Sequence, residues 1–287
     1  MSDQPRERLF NLPGVILWLV VAMGAIHAFR LHALTNEDDV ALLAALSFVP
    51  ARLTAQFDAA GVAAALRAVA LRGGDDIEIA SYFFGDGSFL PWTALTYALL
   101  HADWTHFGLN SIWLAAFGAP VARRFGAARF VALFAVTALA GTLAHWLFHR
   151  YDAMPMIGAS AAVSGAMGAA LRFVFQPGAP LGLALALRPD NPLAYRLRAL
   201  PLRHVMSDRR VLTFILFWFL SNLVFGVGAQ PLGLSDSSIA WQAHVGGFLA
   251  GLLLFSAFDP KGSNSGKFRP KAKTAHLVAM LFCAHPL

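Results

Sequence analysis

Charge is what this chain has least of. Only 13% of its 287 residues are Asp, Glu, Lys or Arg, where a soluble domain carries about 25%. Hydrophobic residues make up 57%, and none of the 16 acids falls inside the long apolar runs. These shortages exclude an ordinary soluble domain and define an all-α polytopic membrane protein. Cysteine occurs once, as Cys283, which excludes an internal disulfide. The basic excess, 22 Lys and Arg against 16 acids, is read as cytoplasmic loop charge rather than as a nucleic-acid surface.

Six apolar runs are present. A polar N-terminus, 1–11, precedes the first, Leu12 to about Phe29. This run has no small-x-small cleavage site and reads as an uncleaved span rather than a signal peptide. The others are Thr105–Val121, Phe130–Phe148, Ile157–Phe175, Val211–Val227 and Ile239–Phe258. The connection 34–90 holds eight acids against three bases, and its Ala/Leu-rich parts 40–49 and 51–72, separated by Pro50, read as short amphipathic helices on a membrane surface. The tail, 259–287, is basic, and its apolar end, Ala275–Leu287, is too short to span.

The loops after spans two, four and six are rich in arginine and lysine, whereas the loop after span one is acidic. The positive-inside rule then places both termini in the cytoplasm and 34–90 outside. Spans two, four and six all run inward, so His106 and Asn110, Ser160, and His244 lie near the outer ends of their helices. Three distant polar sites at one membrane depth suggest one shared site.

Ser160 sits in Gly158-Ala159-Ser160-Ala161-Ala162-Val163-Ser164-Gly165. A small residue at a tight helix crossing accounts for it structurally. Its place at a helix start, where unpaired N–H groups favour a developing anion, suits a nucleophile. His244 shares a helical face with Gly247 and Gly251, so backbone can approach it closely. A histidine within reach of a serine is a general base. His106 and Asn110 are four apart and present side-chain donors from one face. Asp103, Asp152 and Asp236 are loop carboxylates that nothing in the sequence places behind His244, which favours a Ser–His dyad over a triad.

The segments His101–Asn110 (HADWTHFGLN), Gly158–Gly165 (GASAAVSG) and Ala243–Gly251 (AHVGGFLAG), in this order on these spans, resemble the bacterial rhomboid intramembrane serine proteases. The resemblance covers about residues 90–258. It implies a six-helix rhomboid bundle, with 12–258 as the protease domain and 34–90 as its first extracytoplasmic loop. It implies Ser160 as nucleophile and His244 as base, with His106, Asn110 and the Ser160 N–H as oxyanion hole. His101 would support that loop, Ser164 would sit beside the catalytic histidine, and Gly158 and Gly247 would support the site. The fifth span, the loop 228–238 and part of the cluster Phe214, Phe217, Trp218 and Phe219 would gate lateral entry. No metal or cofactor is implied. The implied partners are transmembrane substrates and the bilayer, and the composition and motif style suit a bacterial inner membrane. Ala161 stands where many members have Gly, no glutamate stands near Ala122, and the Trp-Arg pair of some members is missing from the first loop.

Three other classes fit less well. The pairs His101/His106 and His145/His149 echo the boxes of di-iron membrane oxidoreductases, but the ten histidines include no adjacent pair. A rhomboid-like pseudoprotease that only binds transmembrane clients would typically lack the serine or the histidine. A transporter would more often carry charge at mid-membrane.

Overall fold

The computed structural model describes residues 12–74, 76–176, 195, 198–224 and 240–260. Among them the structure is helical, with a single isolated antiparallel bridge between Phe48 and Met156. The first helix, α1 (Gly14–Ala33), runs past Phe29. It continues because the Arg30 guanidinium is neutralised inside the protein. Arg30 Nε and Nη2 donate to the Asp39 carboxylate at 2.7 and 3.1 Å, and Nη1 donates to the His101 carbonyl at 2.7 Å. Asp39 belongs to α2 (Asn36–Leu46), whose N-cap Thr35 accepts from Asp38 N–H. Acids at 37–39 complement the positive end of that helix.

The rest of 34–90 forms α3 (Pro50–Ala55), α4 (Ala59–Arg72) and α5 (Asp76–Phe84). A stretch of this region that is expected on a membrane surface is inside the protein. Phe48, Val49, Ala51 and Thr54 are buried. Phe48 and Met156 exchange backbone hydrogen bonds of 3.1 and 2.8 Å, and Ala51 N–H donates to Asp152 O at 2.9 Å. Thr54 Oγ1 donates to the Arg150 carbonyl and accepts from Trp146 Nε1. The loop therefore clamps the segment 150–156 that leads to Ser160.

A short helix α6 (Thr93–Thr96) and a 3-10 turn, Tyr97–Leu99, precede α7 (Trp104–Trp113). The helix then widens into a π turn, Leu114–Gly118, and resumes as α8 (Ala119–Phe125). Pro120 has no N–H for the ladder, and a π turn accommodates the missing bond. Helix α9 (Ala127–His149) follows, then α10 (Ser160–Leu171), α11 (Leu202–Val205), α12 (Arg209–Leu223) and α13 (Trp241–Phe258). Among the described residues, three helices are long and apolar enough to cross a membrane: α1, α9 and α13.

The fourth apolar run is helical over fewer residues than its length suggests. Gly158 has φ +124°, and its N–H donates to Tyr97 O at 2.9 Å, which holds 157–159 outside the helix. At the far end Arg172 N–H bonds Ala169 O, closing the last turn tightly. The resulting 12-residue helix is about 18 Å long, less than the roughly 30 Å of bilayer hydrocarbon. Every residue from Ala161 to Leu171 is buried, so protein rather than lipid surrounds it.

Helices α9, α10 and α13 make the centre of the molecule. Backbone meets backbone there. A Cβ on Gly247 would fall on the Ala161 carbonyl, one on Gly251 on the Gly165 carbonyl, and one on Gly168 on the Phe248 carbonyl. Gly247 and Gly251 are one turn apart, as are Ala161 and Gly165, so two small-residue stripes lie against each other. The end of this core away from Ser160 is held by charge. Arg124 pairs with Asp259 at 2.8 and 3.1 Å, both side chains buried, and lies over the rings of Phe173 and Phe255. This pair anchors the end of the second apolar run.

Candidate active site

Ser160 is the first residue of α10 and is half-buried. His244 lies in the first turn of α13. The contacts between the two glycine stripes put these helix starts side by side, and His244 Nε2 sits 2.7 Å from Ser160 Oγ. A serine hydroxyl at that distance donates to an imidazole nitrogen that carries no proton. The arrangement can deprotonate the serine and hand the proton on.

His106 approaches from α7. Asp103 caps that helix by accepting the His106 N–H at 2.8 Å. A Cβ on Gly158 would lie 2.7 Å from His106 Cε1 and 2.8 Å from Nε2. Glycine at 158 thus both permits the positive φ and lets the imidazole lie against the chain. The same point is 3.7 Å from Ser160 Oγ, so His106 and the serine flank one small space. Asn110, buried one turn further along α7, donates one amide hydrogen to the His106 carbonyl at 3.1 Å. Its amide retains a second hydrogen.

His101 is fully buried, edge-on to His106 and Phe107 with ring centroids 5.1 and 5.6 Å away. Burial, then the neighbouring His106, His27 and Arg30, push its pKa down to about 3. It is a neutral wedge beneath His106, and its carbonyl is tied to Arg30. Ser164 is buried one turn below Ser160. Gly247 seats α13 on Ala161.

No loop carboxylate stands behind His244 among the described residues. Asp103 caps α7, and Asp152 Oδ1 accepts the Met154 N–H; Asp236 lies outside the described residues. An amide takes that place. His244 Nδ1 is in hydrogen-bond contact with Asn222 Oδ1, from α12. The sequence signal for Asn222 is an amide within an otherwise apolar run, a residue type that bonds across helices in membranes.

Of the aromatic cluster on α12, Phe214 packs on Phe117 and Phe175, and Trp218 stacks on Phe248 at 4.5 Å. Phe217 faces outward, whereas Phe219 is partly exposed with its ring edge-on to Trp241 of α13 at 6.4 Å. The loop 228–238 lies outside the described residues. His145 stacks on His149 at 4.7 Å. Among the described residues no group of three or more His, Cys, Asp or Glu is placed to hold a metal ion.

The Rhomboid domain model matches residues 89–258, more than half of the chain. The chain belongs to the rhomboid family. It is also similar to the Rhomboid protease GluP of Bacillus subtilis (strain 168), with 28% identity over 177 residues. That alignment covers 61% of this chain but 28% of the relative, so the chain spans well under half of that protein's length. Rhomboid membership and the long apolar helices make this an integral, multi-pass membrane protein.

Proposed function

We propose that this rhomboid is an intramembrane serine endopeptidase that cleaves transmembrane segments of other membrane proteins. The observation that carries this reading is the 2.7 Å contact between His244 Nε2 and Ser160 Oγ at the starts of two apolar helices. His244 takes the Ser160 proton as Oγ bonds to the peptide carbonyl carbon. The resulting oxyanion is received by His106, the second amide hydrogen of Asn110 and the Ser160 backbone N–H, which the start of α10 leaves unpaired. The C–N bond breaks, His244 protonates the departing amine, and water hydrolyses the acyl-enzyme by the reverse proton route. The reaction calls on no cofactor or metal.

The loop charges favour six spans over 12–258, with 1–11 and 259–287 cytoplasmic and 34–90 extracytoplasmic. Cleavage then falls near the extracytoplasmic face of a bacterial inner membrane. The test is cleavage of a single-span reporter by detergent-purified wild type, Ser160→Ala and His244→Ala, with a chelator control and a fluorophosphonate probe. Expected are cleavage and labelling by wild type, unchanged by chelator, and a loss of at least about 1,000-fold in both variants. Equal cleavage by Ser160→Ala defeats the assignment. A wild type that neither cleaves nor labels favours the client-binding pseudoprotease.

A further inference from the structure

We propose that Asn222 is a positioning residue for His244, resting on the protease reading above: its side-chain carbonyl holds the Nδ1–H of His244 and so presents Nε2 to Ser160 as a base.

The orientation of the amide follows from its other bond. Asn222 Nδ2 is 2.8 Å from the Trp218 carbonyl, one turn back on α12. A carbonyl only accepts, so the nitrogen end of the amide faces Trp218 and the oxygen end faces His244. An amide oxygen also only accepts, so its contact with His244 Nδ1 requires the proton on Nδ1. That tautomer leaves the Nε2 lone pair directed at Ser160 Oγ, 2.7 Å away. The other tautomer would donate Nε2–H to Ser160 Oγ and leave no lone pair there to take the serine proton.

Helix register places the amide. Trp218 stacks on Phe248 at 4.5 Å with its ring nearly parallel, 21°. Four residues on along α12 is Asn222, and four residues back along α13 is His244. The two helices run antiparallel at this contact, so the aromatic pair sets the spacing that brings amide to imidazole. Among the described residues, the other ionisable groups facing His244 are His106 on α7 and His145 on α9. Neither is an acceptor fixed at Nδ1. A neutral amide orients the ring without the electrostatic support that a carboxylate would give the imidazolium.

The experiment uses the full chain in detergent and has two readouts. The first is ¹⁵N NMR of histidine-labelled protein at pH 8, with the His244 signals assigned by their loss in His244→Gln. Wild type is expected to show Nδ1–H and bare Nε2, and Asn222→Leu a shift toward the Nε2–H form. An Nε2–H wild type overturns the inference whatever the activity. An Nδ1–H wild type that neither cleaves a reporter nor labels with fluorophosphonate defeats the protease reading but leaves the positioning contact standing.

The second readout is kinetic. Asn222→Leu keeps the volume and removes the acceptor, whereas Asn222→Asp keeps an acceptor at the same reach. Expected for Leu is a fall in kcat of up to about 100-fold, as for a slightly misplaced catalytic group, with KM changed less than about threefold. Asp is expected to recover most of the lost kcat. Wild-type kcat in the Leu variant, or equal losses in both, overturns the inference by pointing to packing alone.

Discussion

The site draws on two kinds of helix. Helices α10 and α13 meet through glycine and carbonyl, with Gly247 against Ala161 and Gly251 against Gly165, and they supply Ser160 and His244. Helix α12 supplies Asn222 but buries only Val211 fully, and Leu216, Phe217 and Leu220 are exposed along it. Its hold on the core is a few aromatic contacts, chiefly Trp218 on Phe248 and Phe214 on Phe117 and Phe175. In the proposed mechanism a nucleophile and its base tolerate little displacement, and backbone contact would fix Ser160 and His244 where side chains alone would leave play. The group that orients the base is carried on the helix with the weakest grip. Stability and catalytic alignment should therefore separate between these two regions under mutation.

The largest expected loss lies at the far end of the tight region. Asp259→Leu leaves the buried Arg124 guanidinium without its carboxylate and should cost about 3–5 kcal/mol. Thermal unfolding in detergent reads this. Replacing both residues with leucine should recover much of it, because the desolvated charge goes with its partner. If the single variant unfolds like wild type, the far end of the core does not depend on this pair.

Next is Gly247→Ala. The added methyl falls on the Ala161 carbonyl, so the helices must part, at about 1–3 kcal/mol. Activity should fall further than stability, by roughly 100-fold in kcat for a shift near 1 Å between Ser160 and His244. Reporter cleavage and unfolding measured on the same sample separate the two. Equal modest losses in both would mean that the glycine contact serves packing alone.

The tight region was readable from sequence because its device is compositional: small residues at helical spacing beside a serine and a histidine. The helix at Ser160 is shorter than its apolar run, since the positive φ at Gly158 goes with a hydrogen bond that its N–H donates to the Tyr97 carbonyl, 61 positions away. The inward packing of Phe48 and Thr54 is likewise set by partners on another segment, Met156, Arg150 and Trp146, and leaves no local periodicity. Asn222 escaped for a related reason. Nothing near it in sequence reveals that Trp218 and Phe248 set the register that carries it to His244. Local pattern reports which face is smooth or apolar, whereas the partner across a helix pair is a tertiary fact.

The smallest effects belong to α12, where two adjacent aromatics differ by environment alone. Trp218 is half-buried on Phe248, whereas Phe217 is 71% exposed. Trp218→Ala removes the stacked pair, worth about 0.5–1.5 kcal/mol beyond its area, and frees the register that delivers Asn222. Its stability loss should be modest, while kcat falls severalfold with KM little changed. Phe217→Ala should stay within about 0.5 kcal/mol of wild type, with kcat within twofold, because its side chain touches little of the protein. Both are measured in one detergent, so that lipid-facing area is matched. If Phe217→Ala matched Trp218→Ala in kcat, the outward face of α12 would bear on the site as strongly as the inward face. The loose helix would then act on catalysis through its surroundings rather than through its one stacked contact.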